Sequence, residues 1–127
     1  MVDDEPGVRQ CMRMLLELDG HQVDEAHCGP AALDKLNGPR FDLVFTDFFM
    51  PGMKGDELAR KVKGRDEKTP VIMVTACPPT PVPDEISCVM LKPFSLGSIR
   101  GVLTDFNREG PRWNQAESTR PGASPRI

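Results

Sequence analysis

Short runs of apolar residues alternate along this chain with segments in which apolar residues recur at the helical period. Residues 71–74 and 88–91 are continuous apolar runs, and residues 41–45 are apolar apart from Asp42; such runs are typical of parallel strands buried on both faces. A weaker alternation at residues 22–26 indicates a short strand near an edge of the sheet. Because strand–helix–strand units form right-handed crossovers, this alternation predicts an α/β fold with a mostly parallel sheet covered on both sides.

Four helices are predicted from the spacing of apolar residues and from the residues at their ends. They cover residues 6–18, 30–36, 56–63 and 96–106. A proline stands near the start of each of the first two, and Ser95 is expected to cap the last. A further helix is expected at residues 77–86, but that segment holds four prolines. Since proline costs about 3 kcal/mol inside a helix, this fourth helix of the alternation is predicted to be short or absent.

The length of 127 residues suits one domain, residues 1–107, followed by a tail, residues 108–127, which is expected to be disordered. The domain carries 12 Lys and Arg against 17 Asp and Glu, a net charge of −5, which argues against direct nucleic-acid binding. Without a secretory signal or an apolar stretch of about 20 residues, we expect a cytoplasmic protein without membrane contact. The four cysteines show no metal-ligand spacing and are expected to be reduced and buried.

Polar side chains follow the strands at the points where the strands end. They are Asp3, Asp4, Asp47, Thr75 and Lys92. Because the carboxyl ends of parallel strands meet at one edge of a sheet, we expect these side chains to converge. Clustered carboxylates repel one another unless a cation joins them, and Mg²⁺ prefers such oxygen ligands. A carboxylate beside Mg²⁺ can attack phosphorus, while an ammonium and a hydroxyl stabilise the phosphoryl oxygens.

Each of these residues alone has an ordinary structural explanation. An aspartate after a strand is commonly a turn former or a helix N-cap, and Asp3 or Asp4 can cap the first helix. Thr75 alone would be a strand-end residue, and Lys92 alone a solvated charge. Only their convergence on one edge favours a functional site.

The motifs VDDE, DFFMPGMKG, VTA and LKPF, in this order, resemble the receiver domain of two-component response regulators, the chemotaxis-regulator-like family. The match runs from residue 1 to about Phe106. This resemblance implies a doubly wound, five-stranded parallel sheet in the order 2-1-3-4-5. In this chain, the first strand is truncated and the fourth helix is short or absent.

The resemblance also implies the roles of individual residues. Asp47 is the phosphoacceptor, and Thr75 and Lys92 stabilise the phosphoryl group. The metal ligands implied are Asp4, Asp47, the backbone carbonyl of Phe49 and, indirectly, Asp3. The cofactor is Mg²⁺, for which Mn²⁺ can substitute, and the peptide bond before Pro93 is cis.

The implied function is a phosphorelay in which Asp47 accepts a phosphoryl group from a sensor histidine kinase or phosphotransfer domain. The output is a change in a protein-interaction surface, with the downstream protein unidentified and a homodimer left open. Such a protein is not an enzyme beyond self-phosphotransfer and slow autodephosphorylation. One alternative is a degenerate receiver that acts as a phosphorylation-independent interaction or dimerisation module. A phosphohydrolase of similar topology is disfavoured because it would need a second acid where Phe49 stands.

Three departures from the family pattern bear on these alternatives. Only Met1 and Val2 precede the acidic pair, which would leave backbone groups of both neighbouring strands unpaired and open a groove in the core. We therefore expect a clipped or misassigned start, or else a truncated domain. Val89 stands where a switching aromatic residue is usual. Phe49 and Cys77 replace polar side chains that position hydrolytic water, which predicts a long-lived phosphoryl group.

Overall fold

A parallel sheet of three regular strands forms the centre of the structure. The computed structural model describes residues 1–108 and 126–127, and in this part of the chain the strands are β1 (Val44–Asp47), β2 (Val71–Thr75) and β3 (Cys88–Leu91). They lie in the order β1-β2-β3, and both neighbouring pairs are parallel. All of β1 and β2 is buried, as expected for strands covered on both faces.

Two further segments join this sheet only through isolated bridges. Val2 bridges both Ala26 and Thr46 in parallel, so it lies between them in the predicted order. The predicted α/β fold with a parallel sheet and a truncated first strand is confirmed, but among the described residues only three of the five predicted strands are regular, and the strand predicted at 41–45 becomes regular only at Val44. The segment before Asp3 offers its neighbours only Met1 and Val2 as partner residues, so no continuous ladder forms there.

The described part of the chain contains four helices, at the positions predicted. They are α1 (Pro6–Leu18), α2 (Gly29–Leu36), α3 (Gly55–Arg65) and α4 (Leu96–Arg108). The hydroxyl of Ser95 accepts a hydrogen bond from the Ser98 backbone N–H at 3.1 Å, so the predicted cap is confirmed. Two core clusters flank the sheet: Met12 and Leu16 of α1 belong to one, and Leu58 of α3 belongs to the other.

No helix forms between β2 and β3, where residues 76–87 are all described. The prediction for the proline-rich segment is therefore confirmed. This connection also contains a cis peptide bond at Thr80–Pro81. With no helix in this crossover, α4 is the only described helix that follows β2 in the chain.

The tail and the cysteines depart from prediction. Residues 109–125 of the predicted disordered tail lie outside the described residues, but Ile127 is buried in a core cluster with 1% of its surface exposed. The cysteines are free, as predicted, yet none is buried: Cys11 and Cys77 are exposed, and Cys28 and Cys88 are half-buried. Among the described helices, we find none with the length and apolar character to cross a membrane.

Candidate functional site

Three aspartates meet where the first strand segment and β1 end. Asp47 is the last residue of β1, and Asp3 follows Val2, which bridges Thr46 next to Asp47. This register brings the two chain segments to the same sheet edge. Asp3, Asp4 and Asp47 each offer a carboxylate oxygen, and these oxygens all lie within 4.8 Å of one another. The three side chains are therefore close enough to share one cation.

The three carboxylates differ in their access to solvent. Asp3 is fully buried, Asp47 is 6% exposed and Asp4 is exposed. The Asp3 carboxylate accepts a hydrogen bond from the Glu5 N–H at 2.9 Å, and that of Asp47 accepts one from the Phe48 N–H at 2.9 Å. These backbone donors orient the two buried carboxylates, while Asp4 remains accessible to solvent.

Lys92 connects the buried carboxylates from the other side of the site. It follows β3, and its backbone N–H donates to the Thr75 carbonyl at 2.9 Å, which anchors it at the sheet edge. Its ammonium lies 3.1 Å from Asp3 Oδ2 and 3.4 Å from Asp47 Oδ1. The Lys92–Pro93 peptide bond is cis, as the family resemblance implied.

The charges of this cluster change the proton affinities of its members. Burial raises the pKa of Asp47, the nearby Asp3 charge raises it further, and Lys92 offsets these effects only in part. Burial acts to lower the pKa of Lys92, but hydrogen bonding to Asp3 and the charges of Asp3 and Asp47 outweigh it and raise that pKa. One ammonium thus faces two buried carboxylates and an exposed one. This excess of negative oxygen ligands suits a divalent cation such as Mg²⁺.

Thr75 lies at the same edge of the sheet but does not hydrogen-bond to the acids. The register pairs Asp47 with Val74, so Thr75 stands one residue beyond that pair. Its buried hydroxyl accepts a bond from the Cys77 N–H at 3.2 Å and lies 3.4 Å from the Cys77 carbonyl. The hydroxyl is therefore held by its own loop. The roles predicted for Thr75 and for the Phe49 carbonyl stay predictions.

The side chains of Phe49 and Cys77 are open to solvent. Phe49 is 54% exposed, and its ring packs edge-on against Phe48 with 4.7 Å between the ring centroids. The ammonium of Lys54 lies 5.8 Å from the centroid of each ring. An apolar, cationic rim therefore borders the acidic cluster on the side of the loop after β1.

Gly55, which the sequence analysis did not single out, supports the loop after β1. Its N–H donates to the Phe48 carbonyl at 2.9 Å, and a Cβ placed on it would collide with the Asp47 carbonyl oxygen. The same Cβ would lie 3.0 Å from the Phe48 Cα. Gly55 directly precedes the helix predicted at residues 56–63 and is the first residue of α3. A glycine at this position, where a better helix former is usual, is the one sequence signal for the close approach.

Comparison with known proteins agrees with this geometry. The profile of the response regulator receiver domain matches residues 1–99. The transcriptional regulatory protein ResD of Bacillus subtilis is 40% identical over 76 residues, which cover 60% of this chain and 31% of ResD. The chain therefore matches less than two thirds of that relative's length.

Solved structures show the same fold. The chemotaxis protein CheY4 of Vibrio cholerae superposes with a TM-score of 0.77 at 29% identity, covering 82% of this chain and 92% of that one. The response regulator TrrA of Thermotoga maritima, solved in complex with Mg²⁺–BeF, gives 0.74 at 28% identity, covering 82% and 93%. The profile match, the superpositions and the sheet-edge acids agree, and the chain belongs to the receiver domain family of two-component response regulators.

Proposed function

We propose that Asp47 accepts a phosphoryl group from a sensor histidine kinase or a phosphotransfer domain. The observation that carries this proposal is the meeting of three carboxylate oxygens within 4.8 Å, with the Lys92 ammonium within 3.4 Å of two of these carboxylates. Asp4, Asp47 and the Phe49 carbonyl would hold Mg²⁺, or Mn²⁺ in its place, and Asp3 would act indirectly. The Mg²⁺–BeF complex of TrrA supports the choice of metal.

In the proposed transfer, a carboxylate oxygen of Asp47 forms a bond to phosphorus as the phosphorus–nitrogen bond of the donor histidine breaks. The histidine nitrogen leaves with the electron pair, so no oxidant or second reactant is needed. Mg²⁺ would offset negative charge on the phosphoryl oxygens. Lys92, whose ammonium lies 3.4 Å from Asp47 Oδ1, would donate to one of those oxygens. The Thr75 hydroxyl would donate to another phosphoryl oxygen after its hydrogen bonds with the Cys77 backbone break.

The proposed output is a change in a protein-interaction surface. Because the chain belongs to the response regulator receiver family, we expect the phosphoryl group to be retained on Asp47 and not passed to a released product. Rearrangement of Thr75 would pull on the loop after β2, which contains no helix in residues 76–87. With no polar side chain at Phe49 or Cys77 to orient water, autodephosphorylation is expected to be slow.

A phosphorylation-independent interaction or dimerisation module is the second candidate. It is favoured by the missing helix in residues 76–87 and by the aliphatic Val89, which replaces an aromatic switch residue. Both features weaken the link between the acidic cluster and a distant surface. This candidate requires that Asp47 remains unmodified in the presence of a competent donor.

Intact-mass spectrometry of the full chain with Mg²⁺ and acetyl phosphate separates the two candidates. The wild type and the control variant Asp56→Asn, changed outside the cluster, should gain the mass of one phosphoryl group. Asp47→Asn and metal-free wild type should not. If folded wild type with bound Mg²⁺ gains no mass from either acetyl phosphate or a phosphohistidine donor, the module is supported and phosphotransfer is ruled out. Loss of the phosphoryl group within seconds would contradict the prediction of slow autodephosphorylation, but it would not contradict phosphotransfer to Asp47.

A further inference from the structure

A cavity of about 230 Å³ lies at the end of the sheet opposite the acidic cluster, and we call it the α2–α3 cavity. Phe41 precedes β1 and Thr69 precedes β2, so both of these lining residues lie at the amino ends of the strands, whereas Asp47 ends β1. The rest of the described lining belongs to the carboxyl-terminal ends of α2 and α3 and to the segments that follow them. The walls of the cavity are therefore two internal segments of the chain, residues 36–41 and 62–69.

The floor of the cavity is apolar and reaches the core. Phe41 is 7% exposed and Val62 is 2% exposed, and Val62 belongs to the core cluster that contains Leu58. Leu36 of α2 is half-buried and packs against the same cluster. Because side chains this well buried border the cavity, it is a notch into the domain and not a shallow depression between exposed side chains. The floor can therefore remove the apolar part of a ligand from water.

Arg65, the last residue of α3, contributes one guanidinium to the lining. Its Nη1 donates to the Leu33 carbonyl at 2.9 Å and to the Asn37 side-chain oxygen at 2.5 Å. These bonds hold the guanidinium between α2 and α3, so its position is set before a ligand binds. A guanidinium carries five N–H donors, and those on Nε and Nη2 make no hydrogen bond with the other described residues.

Arg40 contributes a second guanidinium from the segment after α2. It is exposed, and its side chain makes no hydrogen bond or ion pair within the described part of the chain. Asp66 is the one carboxylate among the described lining residues. Two cations against one anion make the cavity locally cationic. Since a guanidinium fork matches the two oxygens of a carboxylate, the charge of the cavity favours an organic anion as its ligand.

The volume of the cavity sets the size of that ligand. An apolar cavity of about 150 Å³ is large enough to bind benzene. The α2–α3 cavity exceeds this volume by roughly 80 Å³, which is the share of about three water molecules in the liquid. This additional space matches the three heavy atoms of a carboxylate group. A monocyclic aromatic carboxylate therefore fits the volume of the cavity as well as its charge.

We propose that the α2–α3 cavity binds a small aromatic carboxylate, with its ring on the apolar floor and its carboxylate between the two guanidiniums. Each arginine alone has an ordinary explanation, because Arg65 joins two helices and Arg40 is an exposed charge. Their position beside a notch with an apolar floor is what favours a ligand. The site is separate from the acidic cluster, and binding does not depend on phosphorylation of Asp47.

Titration of the full wild-type chain with sodium benzoate, followed by NMR of the backbone amides, tests the site without any substitution. The amide signals of Gly38, Arg40 and Thr69 should shift, whereas that of Phe48 at the acidic cluster should not. A ligand of this size should bind with a Kd on the order of 1 mM. If the three amide signals show no saturable shift at about twenty times that concentration, the proposal is overturned.

Two further ligands separate the contribution of the charge from that of the apolar ring. Benzamide has nearly the shape of benzoate but no charge, so it should bind about tenfold more weakly. Inorganic phosphate has the charge but no apolar ring, and it should also bind about tenfold more weakly. Benzamide binding as tightly as benzoate would exclude a role for the guanidiniums, and phosphate binding as tightly would exclude a role for the floor. Either result would refute the proposal.

Substitution of Arg40 by alanine tests the guanidinium that has no described partner. Because the side chain is exposed, the Arg40→Ala variant should fold normally, and its Kd for benzoate should rise by about threefold. Lys61→Ala is the matched control, since it removes the same charge from an exposed residue of α3 that lies outside the described lining. Its Kd for benzoate should equal that of wild type. Equal benzoate affinities for the two variants would contradict the proposal.

Discussion

Substitution of Gly55 by alanine tests the link between backbone packing and the acidic cluster. The three atoms nearest to the added Cβ would all belong to the backbone: the Asp47 carbonyl oxygen, the Asp47 carbonyl carbon at 3.1 Å and the Phe48 Cα at 3.0 Å. Ordinary van der Waals contact begins at 3.4 Å, so the Phe48 Cα must move away by about 0.4 Å and the Asp47 carbonyl must move by more than that. A backbone cannot rotate aside as a flexible side chain can. The substitution is therefore expected to displace Asp47, the proposed phosphoacceptor.

Two magnitudes follow from this geometry. Overpacking of this kind costs about 1–3 kcal/mol, which lowers the Tm of a domain of this size by roughly 4–12 °C. A displacement of several tenths of an ångström at the reacting carboxylate should slow phosphorylation by acetyl phosphate on the order of tenfold. Calorimetry gives the first quantity, and time-resolved intact mass gives the second.

Gly64 provides the matched control in the same helix, α3. An added Cβ there has no neighbour within 4 Å, and the residue is exposed. Gly64→Ala should therefore raise stability by about 0.5–1 kcal/mol, since alanine is the better helix former, and leave the phosphorylation rate unchanged. The reasoning is refuted if Gly55→Ala matches Gly64→Ala in both Tm and rate.

Three further predictions concern the charges of the cluster. The raised pKa of Asp47 means that its stabilising contribution is present below the unfolded value of 3.8 and is lost as pH rises through the higher folded value. Without metal, the Asp47→Asn variant should therefore have a higher Tm than wild type at neutral pH, and this difference in Tm should shrink as the pH falls toward 3.8. A difference in Tm that stays constant across calorimetric scans at several pH values would contradict the prediction. Lys92→Ala removes the ammonium that pairs with the buried Asp3 carboxylate, so it should lower the free energy of unfolding in urea by about 2 kcal/mol, and Mg²⁺ should restore part of this loss. The control Lys61→Ala, at an exposed lysine, should lower it little, and equal losses for the two variants would contradict the prediction. Asp4→Asn should weaken Mg²⁺ binding, measured by isothermal titration calorimetry, by about tenfold, and should change the free energy of unfolding by less than about 0.5 kcal/mol. An unchanged Mg²⁺ affinity would show that Asp4 is not a metal ligand.

Local patterns in the sequence were enough to predict the helices, the buried strands and the meeting of the acids at one edge of the sheet. These features depend on local periodicity and on the rule that parallel strands share their carboxyl-end edge. The bounds of α1 and β3 agree with prediction to the residue, and the prolines alone excluded a helix from residues 77–86. The meeting of Asp3 and Asp47 could be predicted for the same reason, because each follows or ends one of two neighbouring parallel strand segments.

The core position of Ile127 and the burial of Asp3 rather than Asp4 depend on long-range contacts that no local pattern in the sequence reveals. Ile127 lies in a core cluster although no apolar period predicts it, and its backbone hydrogen bonds with Gln22 and Asp24 hold it there. Asp3 and Asp4 are adjacent acids of equal propensity, and strand alternation with Lys92 across the edge buries one and exposes the other. The contact of Gly55 with the Asp47 carbonyl likewise depends on how the start of α3 packs against the end of β1. Contacts between residues far apart in sequence, and distances of tenths of an ångström, leave no local pattern from which to predict them.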